Sequence, residues 1–287
     1  MARRTRSLSA AVVFLLAELV AVASCGSAGQ GRDNVTTVRP DGGAPAVVVP
    51  PAGAGFDYQL GGDAPLPDGV MVVVRDWFAG TAAPGAYSIC YINAFQTQPP
   101  DADDRPDVRD AWPAEVVTTA EDPEWPGEFA INLSSAELRA TAAAHVGSML
   151  QACATKGFRA VEFDNLDSFT RFPQLGFGAD EALAYAATLV AQAHSLGLAA
   201  GQKNAVEIAA RGRAEAGFDF AVVEECGQYD ECVDYTEVYG DEVFAIEYTE
   251  AGFAAACDAL HPAASVILRD LGLVLPDDPD YLRRACP

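Results

Sequence analysis

Glu162, Asp164, Asn165 and Asp167 crowd into six positions of "AVEFDNLDSF", where a short apolar run gives way to carboxylates and an amide. Two facing carboxyl groups, one ionised and one holding a proton, are what cleavage of a glycosidic bond requires. The same oxygen-rich set could instead hold a hard cation. Comparable groups end other apolar runs: Arg75 and Asp76, Asn93, Lys203 and Asn204, Glu224 and Glu225, Glu247 and Tyr248, Arg269 and Asp270. Burying a carboxylate is costly unless it is paired or partly solvated, so stability alone gives little reason to repeat the pattern on run after run. Strands that open together into one cleft do give a reason.

Side chains alternate along a strand, so Glu162 and Asp164 share one side and Val161 and Phe163 the other. If Phe163 meets a layer of helices, both acids point inward. Asp164 and Asn165 also suit a turn or helix cap. Glu224 and Glu225 suit a surface strand end, and Lys203 suits a simple neutraliser of neighbouring acids.

Other chemistries find less support. His145, His194 and His261 fall in or beside predicted helices rather than at strand ends, which disfavours an imidazole-rich metal centre. No G-x-S-x-G elbow and no Gly-rich phosphate loop follows a strand. No cofactor and no metal is expected.

The elements that must position these groups read as an alternation. "YQLGG" (58–62), "VMVVVRD" (70–76), "YSICYINA" (87–94), "EFAINLS" (128–134), "AVEFDN" (160–165), "LAAGQKN" (198–204), "FAVVEEC" (220–226), "VFAIEYT" (243–249) and "SVILRDL" (265–271) are strand-like. From residue 135 they alternate with Ala-rich amphipathic stretches, notably 135–156 and 179–196. Strand and helix in alternation imply a parallel sheet, and the length fits a single-domain (β/α)8 TIM-like barrel, with loops in place of helices before the first three strands. Nine runs for eight staves mean that one strand is peripheral or that one run is not a strand.

Half of the 287 residues are hydrophobic, enough for a sizeable core. Arg3, Arg4 and Arg6, then the apolar run from Leu8 to Val22, predict a signal peptide over 1–24. "VASC" is similar to a lipobox, with Cys25 as the lipidated residue. Residues 25–55 read as a flexible Gly/Ala/Pro-rich linker, and 56–287 as the domain. The expected location is extracellular, tied to the outer face of a bacterial cell membrane only through that lipid. Six cysteines remain after Cys25, a disulfide number in an oxidising compartment, and Cys226 with Cys232 is the pair suggested by proximity. The formal charge of −23 argues against nucleic acid as a partner and is compatible with a cationic ligand. A monomer is expected.

"YQLGG", "ICYINAFQTQ", "GFRAVEFDNLDSF", "GLAAGQKN", "DFAVVEECGQYDEC" and "VFAIEYT" resemble, in this order from about Phe56 to Cys286, glycoside hydrolase family 114, the endo-α-1,4-polygalactosaminidases. The resemblance implies a TIM-like barrel that hydrolyses α-1,4-linked galactosamine polymers, a cationic polysaccharide substrate. It implies Asp164 and Glu224 as the catalytic pair; the residues expected to contact substrate around them are Glu162, Asn165, Asp167, Lys203, Asn204, Glu225, Glu247 and Tyr248. Where family members often carry "PDN" and "NEQC", this chain has Phe163 before Asp164 and Val223 before Glu224. The alternatives are a non-catalytic carbohydrate-binding lipoprotein and a metal-dependent hydrolase on the same barrel.

Overall fold

β-branched and aromatic residues alternating with small ones favour strands that are covered on both faces. In the computed structural model, which describes residues 45–78, 80–98 and 112–287, they form β1 (Gly55–Gln59), β2 (Val70–Asp76) and β3 (Tyr87–Asn93). A separate antiparallel pair follows, β4 (Val117–Glu121) with β5 (Phe129–Ile131). Then come helix α1 (Ala136–Thr155), β6 (Ala160–Asp164), the single turn α2 (Ser168–Arg171), α3 (Ala179–Ser195), β7 (Ala199–Lys203) and β8 (Phe220–Glu224). The chain ends with α4 (Cys226–Tyr229), α5 (Cys232–Tyr239), β9 (Val243–Glu247), α6 (Glu250–Leu260), β10 (Ser265–Arg269) and β11 (Arg283–Ala285).

The main sheet runs β1-β2-β3-β6-β7-β8-β9-β10-β11, parallel except for β11, and curls into a nearly closed barrel. "EFAINLS" is therefore not a stave. Its strand β5 is short and pairs with β4, while Ala130 bridges Gln96, so it lies outside the barrel as the extra strand. The seam between β10 and β1 is bridged by arginines. Arg269 donates to the Tyr58 carbonyl, and Arg283 donates to the Phe56 carbonyl at 2.6 Å and to Asp57 at 3.1 Å.

Alternation sorts the core into two layers. Phe56, Tyr58, Val72, Val74, Phe220 and Phe244 fill the barrel, whereas Val161, Phe163 and Val223 pack outward with the helices. The interior is filled by matching large to small: a Cβ on Gly201 would lie 2.6 Å from the Phe220 ring. Ser135 caps α1 through its hydroxyl, which accepts from Leu138 N at 3.2 Å. Gly157 (φ 87°) and Gly197 (φ 76°) end α1 and α3 in the left-handed region that suits glycine.

Disulfides join Cys90 of β3 to Cys153 of α1, Cys226 to Cys232, and Cys257 of α6 to Cys286 beyond β11. The predicted leader 1–24, Cys25 and the linker as far as residue 44 lie outside the described residues. The last part of the expected linker differs from a free tether. Val48 O accepts from the Tyr87 hydroxyl and Ala54 O from Ser265 Oγ, so residues 45–54 are held against the end of the barrel where the strands begin.

Candidate active site

The staves deliver their last inward side chains to one mouth. Ala160, Glu162 and Asp164 point inward from β6, as the outward packing of Phe163 requires, and Lys203 and Glu224 do so from β7 and β8. The chain leaves each of these strands through a left-handed residue, Asn165 (φ 67°), Asn204 (φ 45°) and Glu225 (φ 57°). Asparagine tolerates that region better than most residues, which explains the amides after Asp164 and Lys203.

Lys203 Nζ is the centre of the site. It lies 3.1 Å from Glu162 Oε1, 3.3 Å from Asp164 Oδ1 and 3.1 Å from Glu224 Oε2. Tyr58 donates to Glu162 Oε1 at 2.7 Å, Tyr91 to Asp164 Oδ2 at 2.6 Å, and the Tyr248 hydroxyl to Glu224 Oε1. Asn204 makes a two-way contact with Glu224, its Nδ2 donating to the carboxylate at 3.2 Å and its Oδ1 accepting from the Glu224 backbone N–H at 2.8 Å. Of the four residues in the metal reading, Glu162, Asp164, Asn165 and Asp167, the ammonium of Lys203 lies against Glu162 and Asp164, whereas Asp167 pairs with Arg171.

Accessibility separates the three acids. The Asp164 and Glu224 side chains are 18% and 24% exposed, and that of Glu162 is 0% exposed. Only the first two can touch a bound molecule. Burial pushes the Glu162 carboxyl up, against the pull of Lys203, to about 7. Burial also works against ionisation of Asp164, but the Lys203 charge and the hydrogen bonds from Tyr91 and Asn165 outweigh it and hold this carboxyl below its usual value. Desolvation opposes the charge on Lys203, and its three acidic neighbours raise its pKa well above normal all the same.

The expected supporting residues divide. Lys203, Asn204 and Tyr248 contact the acids directly. Asn165 donates from its backbone to Asp164 Oδ1 at 2.9 Å and turns its side chain to Asn93 and Arg171. Asp167 pairs with Arg171 at 3.3 Å on the rim, and Glu225 sits beside Glu224, accepting from Gln228 at 3.1 Å. Two expectations are corrected. Glu162 lies sealed beneath Lys203 and is a support for it, not a substrate contact. Glu247 follows the outward alternation of β9 and is buried under α4 and α6, where it accepts from Gly227 N at 2.6 Å and where a Cβ on Gly252 would come within 2.3 Å of it. Its register is odd where an inward position must be even.

Sequence reasoning left out Tyr58, Arg171 and Glu128. Tyr58 was legible as an inward residue of β1. Glu128 was not, because nothing in the composition of its run distinguishes it from a stave. It lies immediately before β5, accepts from Asn93 Nδ2 at 3.0 Å, and is pushed up to about 8 by burial and the nearby charge of Asp164.

The glycoside-hydrolase family GH114 matches this chain over residues 37–287. Among solved structures, that of Aspergillus fumigatus Ega3 in complex with galactosamine is similar at 24% identity and a TM-score of 0.68, covering 85% of this chain and 100% of its own. The glycoside hydrolase domain of PelA from Pseudomonas aeruginosa is similar at 17% identity and a TM-score of 0.57, covering 80% of this chain and 98% of its own. At these identities the two structures speak for the fold. A search of curated proteins found no match.

Proposed function

The chain belongs to glycoside-hydrolase family GH114, and on that footing we propose that it is an exported, endo-acting hydrolase of α-1,4-linked galactosamine polymers that uses Asp164 and Glu224. The observation that carries the reading is the common grip of Lys203 Nζ on Asp164 and Glu224, acids sixty positions apart in the chain. Both acids are partly exposed at the mouth.

Asp164, held ionised by Lys203 and Tyr91, is the nucleophile. It attacks the anomeric carbon while Glu224 gives its proton to the departing glycosidic oxygen. Glu224 then takes a proton from water, and the water oxygen displaces Asp164 from the same carbon. The two oxygens can be no further apart than the sum of their distances to Lys203 Nζ, 3.3 and 3.1 Å. That bound, which concerns Asp164 Oδ1 and Glu224 Oε2 alone, is compatible with the roughly 5–5.5 Å between the carboxyl groups of retaining enzymes, and retention is the outcome we expect.

The formal charge of −23 suits a polymer bearing ammonium groups, and the similar fold of Ega3, solved with galactosamine, points the same way. Three disulfides and the positively charged, then apolar, N-terminus support export, with Cys25 as the proposed lipid attachment and residues before the barrel as its tether. The test is incubation of the purified domain with partly deacetylated galactosaminogalactan and mass analysis of the products. Internal cleavage into oligosaccharides is expected, and an intact polymer refutes the reading.

A further inference from the structure

Glu128 stands over the mouth without being part of the barrel. The β4–β5 hairpin is laid across the end of β3, with Ile131 N donating to Phe95 O and Thr97 N to Phe129 O, both at 2.9 Å. Asn93 belongs to the inward series Tyr87, Ile89, Tyr91, Asn93, and pairs in register with Asp164. Its side chain links the hairpin to the catalytic strand. Asn93 Nδ2 donates to Glu128 Oε2 at 3.0 Å, Asn165 Nδ2 donates to Asn93 Oδ1 at 2.8 Å, and Asn165 N donates to Asp164 Oδ1 at 2.9 Å. Two carboxyl groups thus close the ends of one row of amides.

Asp164 lies against Lys203, whereas Glu128 has no ion-pair partner among the described residues and feels only the more distant charge of Arg171. Lys203 is held by three other acids, and Arg171 by Asp122, Asp167 and Asn165. Among the described residues Glu128 makes no ion pair, and its Oε1 has no hydrogen bond, yet that oxygen is not sealed in the core. A half-buried acid facing another acid is a poor arrangement for the empty protein. It becomes a good one when a cation arrives from outside.

We propose that Glu128 is a specificity-determining residue for the amino group of the sugar, its carboxylate receiving the ammonium of the unit whose anomeric carbon lies against Asp164. In a 2-amino sugar the nitrogen is on the carbon next to the anomeric one, so a unit placed for attack by Asp164 carries its charge to the neighbourhood of that acid. Asn93 orients the receiving carboxylate and occupies one of its oxygens, leaving Oε1 for the ligand. The raised proton affinity of Glu128, caused by burial and by Asp164, is what an added positive charge relieves.

This inference rests on the galactosamine reading, and binding separates the two. Affinity for galactosamine oligosaccharides and for their N-acetylated counterparts is measured by calorimetry in a hydrolysis-blocked Glu224→Gln protein, with Glu128 intact, as Glu128→Gln or as Glu128→Asp. A lost hydrogen bond to a charged group predicts affinity for the free amine about 10- to 100-fold weaker in Glu128→Gln, partly recovered in Glu128→Asp, with the N-acetylated ligand unaffected. Equal affinity for the free amine with and without Glu128 overturns the proposal. So does an equal loss for both ligands, or in both variants, which would mark a structural role. Failure of the wild-type protein to cut the polymer, with this binding pattern intact, would instead refute hydrolysis and leave amino-group recognition standing.

Discussion

Glu162 and Lys203 form a sealed pair at the base of the cleft, Oε1 to Nζ 3.1 Å, with side-chain exposures of 0% and 2%. One oxygen of Glu162 has two partners, Lys203 and Tyr58, and the other has no hydrogen-bond partner among the described residues. A carboxyl so placed binds its proton more tightly folded than unfolded.

The pH dependence of stability follows from that pair. The folded pKa of Glu162 is raised to about 7 from a model-peptide value of about 4.3. Between those values the folded state binds more protons than the unfolded, so this group makes stability fall as pH rises from about 4.5 to 7. Glu162→Gln removes the contribution. Urea unfolding at pH 5, 6, 7 and 8 should show a shallower decline in the variant than in the wild type; parallel curves would disprove the assignment.

Lys203→Met leaves Glu162, Asp164 and Glu224 facing one another without their shared cation. Breaking a buried ion pair from one side costs about 3–5 kcal/mol. The variant should unfold at correspondingly lower urea concentration near pH 7 and recover part of the difference near pH 4.5, where the stranded carboxyls take up protons. A variant as stable as the wild type at pH 7 would mean that Lys203 does not hold the site together.

Asp164→Asn and Glu224→Gln should each lower kcat by on the order of 10²–10⁴-fold or more, while polymer binding persists. Wild-type activity should be unchanged by a chelator, because the cation between the acids is supplied by Lys203. Loss of activity in chelator, restored by a divalent ion, would return the metal-dependent reading. The anomer first released, followed by proton NMR, should match that of the substrate.

Period-two alternation around Phe163 was enough to place Glu162 and Asp164 on the inward face, and the polar strand ends were enough to place the mouth. Alternation does not say how deep each inward residue lies, so it cannot tell a substrate contact from what Glu162 is, a floor beneath Lys203. Glu247 failed for a different reason: its neighbour Tyr248 is the inward residue, and a polar dipeptide at a strand end hides which member turns in. "EFAINLS" has the composition of a stave, and only its pairing with Val117–Glu121 reveals the hairpin that brings Glu128 over the cleft. The arginines of the seam were equally illegible, because their partners are backbone carbonyls far away in sequence.

That seam sets an order of events. Arg269 meets the Tyr58 carbonyl 211 positions away, and Arg283 meets Asp57 across 226. Contacts of such long range come late, since the chain between them must be confined first. Until the segment carrying Arg283 is in place, the edge formed by Phe56 and Tyr58 stands unguarded and open to pairing with another strand. The unpaired edge of that first strand is therefore where folding of this barrel is most open to mispairing.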